Sequence, residues 1–211
     1  PGTVQEAYDQ TIKAFDLAFA YRNPVMILGD AILGQMKEPI TPQEKKTADP
    51  KEAADWRLDG AKGRKPRILK SLFLAEGSLA AHNSHLGEKY KEMQKECAFE
   101  EFMTEDAELI IVAYGSIGRI AKSSIKTLRA AGHKVGLIRP ITVFPFPHKP
   151  LRDLAEKGKK FLTIEHNMGQ MVEDVRLSIC GLADSDFYGH LPGNLPTPND
   201  FEQPILDALE K

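Results

Sequence analysis

The chain has 211 residues, 42% of them hydrophobic and 27% charged, with a formal net charge of −2 and a pI near 6.4. That length buries a substantial core for one domain or one and a part. The balanced charge offers no basic surface for nucleic acid, the sequence lacks the apolar run of about eighteen residues that a membrane span needs, and two cysteines, Cys97 and Cys180, are too few for a disulfide framework or an iron–sulfur cluster. A cytoplasmic location is the expectation.

Thr3 and Glu6 have the spacing of a capping box, and Val4, Tyr8, Ile12, Phe15, Ala18 and Phe19 form the buried stripe of a helix over residues 4–21. Residues 24–28 (PVMIL) read as a short buried strand. One helix and one strand cannot enclose a core, so the chain is expected to begin inside a domain whose larger part lies upstream. Residues 37–66 are dense in charge and proline and read as a connector, with Trp56 as its anchor. A surface helix follows over 78–96. His82 and His85 within it, with no acidic or cysteine ligand close by, read as a solvated face rather than a metal pair.

From residue 105 the pattern becomes regular. Residues 109–114 are a continuous apolar run, the mark of a strand buried on both faces of a parallel sheet. Ile117, Ile120, Ala121, Ser124, Ile125, Leu128 and Ala131 then recur at helical spacing up to a stop at Gly132. A strand starting at Val135 completes a β-α-β unit. A short helix over 151–156, a strand over 161–165, a helix lined by Met168, Met171, Val172, Val175 and Ile179, a strand near 186–188 and a terminal helix with Pro198 in its first turn complete the series. The expected fold class is α/β: an open, mostly parallel sheet flanked by helices, preceded by the tail of a truncated α/β domain.

Open α/β sheets place ligands at the carboxyl ends of their strands, which singles out Ser116, Arg139, Glu165, His166 and Asn167. The turn YGSIG allows two readings. Gly115, Ser116 and Gly118 hold a phosphate at a helix N-terminus, or they form a tight turn with close backbone packing, since neither the dinucleotide glycine pattern nor a P-loop lysine is present. Glu165 and His166, adjacent on a strand, face opposite sides and cannot form a dyad without a bend. No hydrolase, zincin or Walker motif names a reaction.

Taken in order, the segments TVQEAYDQTIKAFDLAFAYRNPVMILGDAILGQMKEP, DAELIIVAYGSIGRIAKSSI, VGLIRPITVFPFP, TIEHNMGQMVEDVRLSI and YGHLPGNLPTP closely resemble the α subunit of the 2-oxoacid:ferredoxin oxidoreductases, nearest to the 2-oxoisovalerate type. The resemblance implies an enzyme complex that oxidatively decarboxylates a branched-chain 2-oxoacid, forms acyl-CoA and reduces ferredoxin. It further implies a holoenzyme with thiamine diphosphate and magnesium, coenzyme A and iron–sulfur clusters, a β subunit and a ferredoxin-like subunit as partners, and no cofactor bound by this chain alone. Residues 1–36 then correspond to the end of a pyrimidine-binding-type domain, 37–104 to the connector, and 105–211 to a domain resembling the transketolase C-terminal domain. The Tyr-Pro-Ile-Thr-Pro segment, glutamate and arginine of that family's first domain are not in this sequence, so no catalytic residue is expected here and the isolated chain is expected to be inactive.

By position in the family, Asp30 and Gln35 lie on the loop that faces the cofactor, and the phosphate reading of Gly115, Ser116 and Gly118 completes the cofactor-facing set. Met168, Gln170, Met171, Asn194 and Leu195 are the expected interface residues. Two other classes stay open: a nucleotide-binding α/β module and a structural assembly domain.

Overall fold

The computed structural model describes residues 1–44 and 56–211, so the part of the connector at 45–55 lies outside the described residues. Helix α1 (Val4–Tyr21) starts where Thr3 Oγ1 accepts the Glu6 N–H at 3.0 Å. The capping box closes only halfway, because the Glu6 carboxylate turns to the Gly2 N–H at 2.7 Å. The stripe expected to be buried is not. No α1 residue is buried, and Phe15 stands 67% exposed. Residues 24–28 likewise form no strand among the described residues and leave Met26 81% exposed, because no strand of the sheet pairs with them. A short helix α2 (Ala31–Gln35) follows, and Trp56 rests its ring 5.4 Å from that of Phe19. Helix α3 (Ser78–Met93) ends in a 3-10 turn over Gln94–Glu96.

Five strands make the sheet: β1 (Phe99–Phe102), β2 (Leu109–Val112), β3 (Val135–Pro140), β4 (Lys160–Glu165) and β5 (Ser185–Gly189), in the order β1-β3-β2-β4-β5. Only β1 runs antiparallel, pairing Phe99 with Pro140 and Phe102 with Leu137. This edge strand lies ahead of residue 105, so the sheet reaches back beyond the boundary that the apolar pattern suggests.

The alternation of side chains along β2 separates two cores. Leu109 and Ile111 pack under helices α4 (Gly115–Ala130) and α7 (Asn199–Glu210), through Ile117, Ile125, Phe201 and Ile205. Ile110 and Val112 pack under α5 (His148–Ala155) and α6 (Met171–Ile179), through Leu151, Val175 and Ile179. Helix α4 stops at Gly132, whose φ of +94° suits glycine. Ser124 Oγ donates to the Pro198 carbonyl at 2.7 Å and pins the start of α7.

The direction in which successive strands are added across the sheet reverses between β2, which is followed by β3 on one side, and β4, which is followed by β5 on the other. The crevice between the carboxyl ends of β2 and β4 is therefore the topological switch point, the usual ligand position of such sheets.

Candidate functional site

Two regions at this end of the sheet carry the chemistry-bearing residues. At the switch point, β2 and β4 run parallel with Val112 opposite Thr163. The loops beginning at Tyr114 and at Glu165 are therefore neighbours. Glu165 is 1% exposed, and its carboxylate accepts the N–H groups of Gln170 at 3.2 Å and of Met171 and Val172 at 3.0 Å each, with Asn167 Nδ2 as a fourth donor at 3.0 Å. A buried anion thus fills the N-terminus of α6, where the helix dipole and the free N–H groups favour it. The role is structural, and Glu165 has no lone pair left over for a base. It also explains why α6 begins at Met171 and leaves Met168 outside the helix.

Ser116 Oγ and His166 Nε2 are the buried side-chain polar atoms without a partner among the described residues, one in the first turn of α4 and one in the loop after β4. Tyr114, half-buried, has its phenol pushed upward by burial and by the charge of Glu165. Gly115 opens α4 at φ +56°. A Cβ on Gly118 would lie 2.8 Å from the Ala113 carbonyl and 2.9 Å from the Arg139 stem. The glycine spacing of YGSIG is thus accounted for by close packing under Arg139.

The second region is the seam where the first forty residues meet the sheet. The Arg139 side chain, 6% exposed, donates from Nε to Glu100 at 2.8 Å and from both terminal nitrogens to Glu6, at 2.5 and 3.0 Å. Glu100 extends the network to Lys122 of α4. Nearby, Arg119 Nη2 pairs with Glu38 at 2.7 Å, while the other Glu38 oxygen accepts the Val4 N–H at 3.0 Å. Arg139 had the position of a substrate-binding group in the sequence, yet its donors are committed to two protein carboxylates. Sequence reasoning missed Glu6 and Glu100 as its counterparts, since contacts 133 and 39 residues apart leave no local signal.

Burial works against the charge of Glu6, but the hydrogen bonds and charge of Arg139, with the Gly2 N–H, hold its carboxyl below the ordinary glutamate range. Glu100 is held low in the same way, against burial, by Lys122 and Arg139. A carboxyl with a depressed folded-state pKa stabilises the fold above its unfolded range, and that contribution is lost as pH falls through the folded range. The seam is therefore expected to loosen on acidification below about pH 4. The emission of Trp56, the chain's one tryptophan, reports on α1 through Phe19. A pH midpoint unchanged by Glu6→Gln would count against the assignment.

Between α1, residues 24–28 and the loop after β3 lies a cleft of about 460 Å³ lined by Leu17, Val25, Ile27, Met93, Val143 and Pro145. Its acid, Glu96, accepts the Tyr21 hydroxyl at 2.9 Å and faces Lys13 at 3.9 Å. Of the loop residues, Asp30 caps α2 by accepting the Leu33 N–H at 2.7 Å, and Gln35 lies exposed at the end of that helix. No group of three His, Cys, Asp or Glu side chains able to hold a metal occurs among the described residues. With an apolar cleft whose one lining carboxylate is engaged, the described residues do not fit the diphosphate–metal end of thiamine diphosphate.

The expected interface residues divide. Met168 stands 86% exposed, and Gln170, Asn194 and Leu195 are exposed too. Met171 is a correction: as the first residue of α6, it turns into the core beneath the sheet with Val175 and Ile179. The loops that carry the others lie side by side, with the His166 and His190 rings 5.5 Å apart and the His190 N–H on the Glu165 carbonyl at 2.9 Å.

Comparison with known proteins accounts for nearly the whole chain. Residues 1–102 match the model for the pyruvate flavodoxin/ferredoxin oxidoreductase thiamine diphosphate-binding domain, and residues 107–201 match pyruvate:ferredoxin oxidoreductase core domain II. The ketoisovalerate oxidoreductase subunit VorB of Methanothermobacter marburgensis is 44% identical over 208 residues, covering 98% of this chain and 58% of the relative. The 2-oxoglutarate synthase subunit KorA of the same organism is 28% identical over 232 residues, covering 98% and 62%. Among solved structures, a 2-oxoglutarate:ferredoxin oxidoreductase from Magnetococcus marinus, with 2-oxoglutarate, coenzyme A and succinyl-CoA bound, superposes with a TM-score of 0.73 at 17% identity, over 99% of this chain and 41% of that one. The chain thus spans about 58% of the length of the VorB relatives. With both of its parts matched by models of one enzyme class, and with this identity to VorB along its length, the chain belongs to the 2-oxoacid:ferredoxin oxidoreductase family.

Proposed function

We propose that this chain is part of the α subunit of a hetero-oligomeric enzyme that converts a branched-chain 2-oxoacid and coenzyme A to acyl-CoA, carbon dioxide and reduced ferredoxin. The observation that carries this reading is the identity of 41–44% to two ketoisovalerate oxidoreductase subunits, against 28–32% to four 2-oxoglutarate synthase subunits. Thiamine diphosphate with magnesium, coenzyme A and the iron–sulfur clusters belong, in this reading, to the assembled complex. When bound there, the thiamine cofactor supplies the carbanion chemistry of decarboxylation. Ketoisovalerate turnover by the complex exceeding 2-oxoglutarate turnover at least tenfold in kcat/KM is the expected ranking; a preference for 2-oxoglutarate would overturn the substrate assignment.

Residues 1–36 serve as the end of the thiamine-binding domain, which is consistent with the exposed apolar side chains of Phe15, Phe19, Met26 and Leu28. Residues 37–104 act as the connector, with β1 joined to the sheet of the following domain. In this division of labour the loop with Asp30 and Gln35 faces the cofactor-bearing part of the complex, whereas Gly115, Ser116 and Gly118 set the β2–α4 turn.

The β and ferredoxin-like subunits are the proposed partners. The loops with Met168, Gln170, Asn194 and Leu195 form their contact surface, which exposes Leu191 as well. An aspartate at an apolar interface anchor costs about 2 kcal/mol or more. A Met168→Asp, Leu195→Asp pair is therefore expected to reduce copurification of the partner subunits at least tenfold without shifting the Tm of this chain. Full copurification would remove these residues from the interface.

A further inference from the structure

The loop 29–35 lies between two carboxylates in sequence, Glu6 before it and Glu38 after it, and an arginine of the α/β unit holds each. Arg139 takes Glu6, and Arg119 takes Glu38. Each carboxylate also anchors the beginning of α1, Glu6 through the Gly2 N–H at 2.7 Å and Glu38 through the Val4 N–H at 3.0 Å. Arg119 reaches further, from Nη1 to Met36 Sδ at 3.5 Å and to the Gly2 carbonyl at 3.4 Å. The two clamps therefore converge on one junction.

That junction is also sterically closed. A Cβ on Gly2 would lie 2.8 Å from the Gly115 carbonyl, so the strand-to-helix turn of the α/β unit and the start of α1 are in direct contact. Within the loop, Asp30 fixes α2 by its cap and Leu33 is buried. The segment from Gly29 to Met36 is thus capped at its start, anchored by Leu33 and tied to α4 at its far end. Planar guanidinium groups, each meeting more than one acceptor, fix orientation in a way that a single ammonium cannot.

We propose that Arg119 and Arg139 are positioning residues for the reaction inferred above: they set the 29–35 loop against the rest of the catalytic complex and touch no reacting atom. The inference rests on that functional reading. Arg119 gives the discriminating test, because its side chain is 42% exposed and its removal spares the core.

The experiment uses the full-length subunit in its assembled complex, with ketoisovalerate, coenzyme A and ferredoxin. Small misplacements of a positioned group cost up to about a hundredfold in rate. Arg119→Met and Glu38→Gln are each expected to lower kcat about fivefold or more, with KM for the 2-oxoacid within about twofold. Arg119→Lys recovers part of that loss. Hydrogen exchange at the Val4 and Leu33 amides quickens in the same variants, while Tm and subunit composition stay at wild-type values. An active wild-type complex whose Arg119→Met form keeps full kcat overturns the positioning role, as does a loss of kcat that only follows loss of assembly. A wild-type complex that oxidises no 2-oxoacid overturns the functional reading itself, and the inference with it.

Discussion

Arg139→Met is expected to destabilise the fold by about 3–5 kcal/mol, the cost of breaking a buried ion pair from one side. Methionine restores the volume of the stem but leaves the Glu6 and Glu100 carboxylates without the three guanidinium bonds. Glu6 keeps the Gly2 N–H, and Glu100 keeps Lys122. The Gly2 N–H carries no formal charge, whereas Lys122 does, so the uncompensated carboxylate is that of Glu6. A lower urea midpoint at unchanged m-value is the expected signature. Adding Glu6→Gln should return part of the loss, because the double variant removes the uncompensated charge along with the arginine. A cost below about 1 kcal/mol would place Arg139 among surface ion pairs of little worth and would contradict the seam described here.

Glu165→Ala is the second large effect, at about 4 kcal/mol. Four donors converge on this carboxylate, and a buried donor left without a partner costs about 1–3 kcal/mol. The loop from His166 to Gln170 loses the anchor that shapes it, so the first turn of α6 should fray together with the exposed Met168. Glu165→Gln is informative because its amide presents N–H groups to backbone N–H groups on one side; it should lie between alanine and wild type. Chemical denaturation gives the magnitudes, and hydrogen exchange at Met171 and Val172 gives the location. Slow exchange at both amides in the alanine variant would exclude the capping role.

The parts of the fold that were legible in the sequence are those governed by short-range regularity. The run 109–112 is apolar throughout because both faces of β2 are covered, and the i, i+3, i+4 recurrence from Ile117 to Leu128 is the buried side of α4. Thr3 and Gly132 mark a start and a stop through local backbone chemistry. Strand β1 escaped notice because its sequence, FEEF, has no period-two pattern and runs along an edge, where one partner suffices. Residues 24–28 carry every mark of a strand, but a strand is completed by its neighbours.

At the site, sequence position pointed correctly to the carboxyl ends of β2, β3 and β4, but not to what the residues there do. Adjacent strand residues could not make a dyad of Glu165 and His166, but the signal that Glu165 caps a helix lay in the loop that turns Gln170 to Val172 back toward it. Arg139 was singled out only by its place at the carboxyl end of β3, and its partners come from α1 and from β1. Met168 and Met171 share a helical spacing in sequence, yet the cap at Glu165 starts α6 between them and sends one outward and the other into the core. The Arg139 outcome depends on contacts between segments far apart in the chain, and the Glu165 outcomes on a loop that folds back over five to seven residues.

The most direct test of the account is ketoisovalerate- and coenzyme A-dependent reduction of ferredoxin by the complete complex, compared with the same complex lacking the α subunit. The account predicts acyl-CoA formation coupled to ferredoxin reduction only when the α subunit is present. Ferredoxin reduction that proceeds equally without it, or a complete complex that forms no acyl-CoA from any 2-oxoacid, would contradict it.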